Sequence, residues 1–104
     1  VRDSDYIIGI LQKEARGEDL SEEEQARLGF NSAMYWALHY SEWVQLDLGL
    51  AGPYVQNFDF SIKNSLRRPS TRAFWERVGE EIYPPRFVAY VENLRAEIAA
   101  EGTP

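Results

Sequence analysis

A long stretch without a strong helix breaker, residues 21–48, constrains the fold of this chain more than any other feature. It contains no proline, and its one glycine, Gly29, costs a helix only about 1 kcal/mol relative to alanine. Ser21 followed by Glu24 has the spacing of a capping box, which satisfies two backbone N–H groups at a helix start. The pattern predicts one helix over about 21–48, roughly 40 Å long at 1.5 Å per residue.

Apolar side chains occur on most sides of this predicted helix rather than along one stripe. A helix that is apolar on most sides lies at the centre of a domain or at an interface. We therefore expect the remaining helices to pack around it. We also expect four short helices to leave part of it uncovered, and a strip that includes Trp36, Tyr40 or Trp43 would attract a partner.

Apolar residues spaced three and four apart predict four further helices. They cover about residues 4–16, 53–66, 71–81 and 85–100. Ser4 is the candidate N-cap of the first helix, and Ser70 or Thr71 is the candidate N-cap of the fourth. Gly17 is a candidate stop for the first helix.

Glycine and proline mark the remaining turns. Gly49 or Gly52 can take the left-handed conformation that ends a helix, and Pro53 suits the first turn of the next. Pro84 and Pro85 end the fourth helix and begin the fifth. No stretch alternates polar and apolar residues as a strand would. The sequence predicts one all-α domain over 1–104, a compact five-helix bundle whose last two helices meet at a Pro-Pro corner.

The acidic charge balance argues against two classes of partner. The chain has 17 Asp and Glu against 11 Lys and Arg, for a formal net charge of −6. Nucleic acids and anionic membrane surfaces are bound mainly through basic residues, so we expect neither as a partner. No apolar run approaches the roughly 20 residues of a membrane-spanning helix, so we expect no direct insertion by this segment.

The residue types needed for most catalytic and metal sites are scarce. There is no cysteine, and His39 is the only histidine. His39 and Glu42 share a helix face, but zinc normally takes at least three protein ligands. No nucleophile elbow, phosphate-binding loop or HExxH motif occurs. We therefore expect no metal, no cofactor and no enzymatic activity.

Two small groups of residues are candidate contact sites. Arg72, Trp75 and Glu76 could line a ligand groove, although aromatic residues at helical spacing are more often core. Glu42 lies on an apolar helix, and a carboxylate buried there needs a partner. An arginine of the following turn, among Arg67, Arg68 and Arg72, could supply it and fix how the fourth helix docks.

Three motifs, in order along the chain, carry a resemblance to a known group of domains. They are "LSEEEQARLGFN", "HYSEWVQLDLGL" and "LRRPSTRAFWERVGEEIYPPRFVAYVENL", and "RAFWE" paired with "FVAYV" is the most specific part. Over about residues 18–94 the chain resembles a group of small bacterial helical domains of unknown function. The resemblance implies the helical fold. Because those domains often follow an N-terminal spanning helix, it also implies a tethered protein of which this chain is a fragment.

Two functions remain open at this point. The first is a non-catalytic protein-interaction or oligomerisation module, with contacts among Trp36, Tyr40, Glu42, Trp43, Arg72 and Trp75. We expect it to self-associate at high concentration. The second is a small-molecule-binding or sensory domain with an aromatic pocket between the long helix and the Pro84–Pro85 corner.

Overall fold

The structure is a computed structural model, and it describes residues 3–50 and 55–102. This part of the chain forms five helices and no strand. They are α1 (Asp3–Ala15), α2 (Glu22–Asp47), α3 (Val55–Arg67), α4 (Pro69–Ile82) and α5 (Pro85–Glu101). The predicted all-α, five-helix bundle is therefore confirmed. None of these helices combines the length and the hydropathy needed to cross a bilayer.

The long helix is central, as predicted. α2 contacts α1, α3 and α4, while α5 packs on α3 and α4 and meets α2 through the ring of Phe87. The capping box forms, because Ser21 Oγ accepts from the N–H of Glu24 at 3.1 Å and Glu24 Oε1 accepts from the N–H of Ser21 at 2.9 Å. The helix runs through Gly29 without a break. Gly49 follows its end with φ +75°, the left-handed conformation that the sequence predicted for this turn.

One aromatic and aliphatic cluster joins α2 to the three helices after it. Its buried members are Trp36, Phe58, Ile62, Leu66, Trp75, Phe87, Val91 and Leu94. The apolar spacings in α3, α4 and α5 predicted most of these positions. Burying a Leu, Ile, Val or Phe side chain is worth roughly 1.5–3 kcal/mol, so this cluster is the main source of stability.

Two polar contacts inside the core fix how α2, α3 and α4 are rotated against one another. The indole N–H of Trp36 donates to the backbone carbonyl of Thr71 at 2.8 Å. The Thr71 hydroxyl donates to the carbonyl of Ser65 at the end of α3. Because an unpaired buried polar group costs more than a hydrogen bond contributes, these contacts select one packing arrangement among the apolar alternatives.

The start of α4 differs from the prediction. The helix begins at Pro69, with Arg68 as its N-cap and no capping side chain. The Ser70 hydroxyl instead donates to Glu14 of α1 at 3.1 Å, and Thr71 is buried in the core. Proline at the first helical position has no N–H group, so this helix start has one fewer unpaired donor for a capping side chain to satisfy.

Other predicted turn features fall outside the described part of the chain. Gly52 and Pro53 lie in residues 51–54, and the side chain of Ser4 is likewise not described. Their roles remain predictions.

Two predicted turn features are confirmed. Gly17 has φ +72°, which confirms it as the stop after α1. The two-proline corner between α4 and α5 is also present, with Pro84 extended at ψ 152° and Pro85 opening α5.

Candidate functional site on the outer side of helix α2

The tryptophans predicted to contact a partner lie in the core instead. Trp36 is fully buried and Trp75 is 3% exposed, with their ring centroids 4.6 Å apart. Tyr40 and Trp43 are half-buried against Phe87, at 5.3 and 5.5 Å between centroids. The expectation that Trp36 could belong to an uncovered strip is therefore wrong, because α4 covers that side of α2.

The space between α2 and the Pro84–Pro85 corner is filled by aromatic rings. Tyr83 packs on Tyr40 at 5.2 Å and on Phe87 at 5.3 Å, and Trp75 stacks on Tyr83 at 6.1 Å. These ring contacts form a clamp that holds α4 and α5 on α2.

A shallow groove of about 580 Å³ lies beyond this clamp, between the end of α2 and the start of α5. Arg86 occupies it, lying 5.6 Å from the ring centroid of Trp43 and binding both carboxylate oxygens of Asp47, at 2.6 and 3.1 Å. Neither Glu42 nor Arg72 lines this groove. Its one cation already has a carboxylate partner, so it offers a ligand no free charge.

The uncovered part of α2 lies on its outer side, one quarter-turn or more from the tryptophans. Phe30, Met34 and Leu38, spaced four residues apart, are 66%, 57% and 53% exposed. Two small residues on the same face, Ala37 and Ser41, are also exposed. We call these five residues the α2 outer face. Single exposed apolar residues are ordinary, but three in a row along one helix form a patch.

A polar cleft of about 220 Å³ adjoins this face, between α2 and α3. Tyr35, Leu38 and Glu42 line it from α2, with His39 between them. On the other side it is lined by Ser61, Asn64, Ser65 and Arg68. The Arg68 guanidinium lies 5.5 Å from the centroid of the Tyr35 ring, a cation–π contact. We call this volume the α2–α3 cleft.

His39 forms the buried base of the α2–α3 cleft. It is 3% exposed, and its Nε2 lies 2.8 Å from Ser65 Oγ, while its buried Nδ1 has no hydrogen-bond partner. Burial away from water disfavours the imidazolium and lowers the pKa of His39 to about 4. The ring is therefore neutral at physiological pH, and it joins α2 to α3 through Ser65.

The predicted pairing of Glu42 with an arginine does not form. Glu42 is half-buried, and no ion pair joins it to any described residue. Arg67 pairs with Glu101 of α5 instead, and Arg72 is exposed on a different groove, beside Leu66. Arg68 lines the same cleft as Glu42, but no hydrogen bond or ion pair joins the two side chains.

No metal site is apparent in the described ranges, where no group of three or more His, Asp or Glu side chains is placed to hold an ion. Comparison with known proteins adds no family or relative. No family model, curated protein or solved structure matches this chain.

The sequence carried a signal for the α2–α3 cleft that apolar spacing alone did not reveal. Ser61, Asn64 and Ser65 of α3 and Arg68 just after its end are spaced i, i+3, i+4 and i+7, as Tyr35, Leu38, His39 and Glu42 are along α2. Two matching, mostly polar faces on successive helices indicate a polar seam. The rotation of α2 and α3 about their axes decides which residues pair across that seam. Packing of the core sets this rotation.

Proposed function

We propose that this chain is a non-catalytic helical module that self-associates through the α2 outer face. The observation that carries the proposal is the row of Phe30, Met34 and Leu38, which are each more than half exposed on the longest helix of the domain. Water is a poor solvent for such a row. Association with a second helix that covers the row is favoured by the free energy of transferring this apolar surface out of water.

The arrangement of large and small residues supports a second copy of the chain as the occupant. In an antiparallel pair of α2 helices, Phe30 of one copy can face Ser41 of the other while Met34 faces Ala37. Large side chains then meet small ones on both sides of a two-fold axis, which lets the helices approach closely. Shape complementarity of this kind gives an interface its packing density.

The distribution of charge also supports this face. The chain carries a net charge of −6, so two copies repel one another over most of their surfaces. None of the five residues of the α2 outer face is charged. Only three large apolar side chains are exposed on this face, whereas a stable dimer interface buries about 800 Å² and roughly 20–30 residues per partner. We therefore expect a weak dimer.

Sedimentation equilibrium over a wide concentration range tests the proposal. The unmodified chain is expected to shift from monomer to dimer between micromolar and millimolar concentration. Met34→Glu should abolish this shift, because it places a carboxylate at the centre of the face. Ile8→Glu is the matched control, since Ile8 is 51% exposed on α1 and the substitution adds the same charge.

Two outcomes would contradict the proposal. One is a chain that stays monomeric up to millimolar concentration. The other is an equal loss of association in Met34→Glu and Ile8→Glu, which would show that net charge and not the α2 outer face controls it.

Tethering to a membrane, which the resemblance of residues 18–94 implies, is part of the same proposal. Confinement to a membrane raises the local concentration of neighbouring copies, so a weak interface can be occupied there. The coding sequence upstream of Val1 tests this part. A spanning segment there would support it, and a continuous soluble domain with no anchor in the full chain would contradict it.

A further inference from the structure

We infer that the α2–α3 cleft binds a small zwitterion of the α-amino acid class, with Arg68 receiving its carboxylate and Glu42 its ammonium group. This inference does not rest on the proposed self-association. It concerns a different surface, which shares only Leu38 with the α2 outer face.

The two opposite charges in the cleft are the first argument. Glu42 and Arg68 are both half-buried and line the same volume, yet no ion pair joins them, and neither has an ion-pair partner elsewhere in the described ranges. Partly desolvated charges are stabilised by a partner of opposite sign. A ligand that carries both charges pairs with both side chains. A simple anion would be repelled by Glu42, and a simple cation would be repelled by Arg68.

The position of Arg68 favours a carboxylate as its partner. Its guanidinium carbon lies 5.5 Å from the centroid of the Tyr35 ring, a cation–π contact that holds the side chain at the cleft. No described residue accepts a hydrogen bond from its guanidinium N–H groups. Those N–H groups form a planar fork that matches the two oxygens of a carboxylate.

Ser65 offers a further donor at the base of the cleft. A neutral imidazole carries one N–H, so His39 either donates to Ser65 Oγ through Nε2 or accepts from it there. In the second case Nδ1–H would be a buried donor without a partner. In the first, the Ser65 hydroxyl proton has no acceptor among the described residues and is free to donate to a ligand. The first arrangement puts the unpaired donor on Ser65, which lines the cleft, and not on the buried Nδ1, so a ligand in the cleft can accept from it.

The size of the cleft limits the ligand. At about 220 Å³ it is smaller than the roughly 300–1,000 Å³ of sites for drug-sized molecules. It suits a molecule with a few heavy atoms between its two charges. Leu38 and Tyr35 provide an apolar wall, so a small apolar side chain fits better than a long charged one.

Amide NMR titrations of the unmodified chain give the first test. Glycine and alanine are the probes, and acetate, methylammonium and N-acetylglycine are controls that each lack one of the two free charges. The amino acids are expected to give saturable shifts confined to residues 35–42 and 61–68. The controls should bind about tenfold more weakly, because each loses a charge-assisted contact.

Matched variants give the second test. Glu42→Gln keeps the size of its side chain, and Arg68→Gln leaves a shorter but polar one; each removes one charge and should weaken binding about tenfold. Arg72→Gln, four residues on and exposed outside the cleft, should leave it unchanged. Met34→Glu should also bind normally, which separates this inference from the self-association proposal.

The inference is overturned if acetate binds as tightly as glycine, or if no probe gives saturable shifts at the cleft. It is equally overturned if Arg68→Gln and Glu42→Gln bind like the unmodified chain. The comparison of probes needs no substitution, so a variant that failed to fold would leave the test intact.

Discussion

His39 shows how one buried residue connects local chemistry to stability. Burial lowers the pKa of His39 from 6.5 to about 4. Between these values the unfolded chain binds a proton that the folded chain does not. The free energy of unfolding is therefore largest above pH 6.5 and falls as the pH drops towards 4.

The contribution of His39 to the pH dependence of the unfolding free energy can be separated from that of the carboxylates. The hydrogen bond from Lys13 lowers the pKa of Glu24, and the one from Arg67 lowers the pKa of Glu101, both from 4.5. The stability that these two groups add is lost only as the pH falls below about 4.5. The window between pH 4.5 and 6.5 therefore reports on His39.

We predict that the unmodified chain loses up to about 3 kcal/mol of unfolding free energy between pH 7 and pH 4 because of His39. His39→Gln retains a hydrogen-bonding group for Ser65 but does not titrate, so its stability should be flat between pH 4.5 and 6.5. Urea denaturation at several pH values measures both. If the unfolding free energy fell equally with pH in the two proteins, another group would be responsible for the pH dependence.

Two glycines in the middle of helices have opposite surroundings. A Cβ built on Gly29 in α2 meets nothing within 4 Å. A Cβ built on Gly79 in α4 would lie 2.8 Å from two carbons of the Trp75 ring, closer than real Cβ contacts come. Gly79 is therefore needed for the indole to lie flat on α4, whereas Gly29 only weakens α2.

We predict that Gly29→Ala raises the unfolding free energy by roughly 0.5–1 kcal/mol, the ordinary gain from replacing a helical glycine. Gly79→Ala should lower it by about 1–3 kcal/mol, because displacement of Trp75 outweighs that same gain. The shift in the urea midpoint at constant slope measures both changes. If both variants were stabilised, Trp75 would not depend on Gly79.

The sequence predicted the helices well because their signals are local. The Ser21 capping box, Gly17 and the Pro84–Pro85 corner each lie within a few residues of the boundary that they mark. The start of α4 was missed because the hydroxyl of Thr71, a good capping residue, bonds instead to the carbonyl of Ser65 in the preceding helix. A single sequence cannot show that a tertiary partner competes for such a hydroxyl.

The candidate sites were harder to predict than the helices. α2 is apolar on most sides, so its composition gives no indication of which side stays uncovered. Trp36 and Phe30 are both large and apolar, yet one is buried and the other is 66% exposed. Only the docking of α3 and α4 separates them. The unpaired state of Glu42 and Arg68 depends on the same docking.

At the scale of the whole molecule, α1 stands apart from the other four helices. The central cluster draws its buried residues from α2, α3, α4 and α5 alone. α1 has one buried apolar residue, Ile10, which lies outside that cluster. Among the described residues, its attachments through charged and polar groups are the ion pair of Lys13 with Glu24 at 2.8 Å, the hydrogen bond of Ser70 to Glu14 and the cation–π contact of Arg27 with Tyr6.

We predict that α1 opens by itself while the rest of the bundle stays folded. Native-state hydrogen exchange should show a lower opening free energy for amides 8–15 than for the middle of α2 and α5, which should exchange only on global unfolding. Ile10→Ala should reduce protection in α1 with little change in α5. Protection in α1 equal to that of α5 would mean that all five helices unfold as one unit.

The contact between the Trp36 and Trp75 rings has an optical consequence. Two indoles whose centroids are 4.6 Å apart share their electronic excitations, so they absorb circularly polarised light as a pair and not as separate chromophores. That signal exists only while α4 is docked on α2. The protein thus carries a built-in spectroscopic reporter of its own assembled core, and no label has to be added to read it.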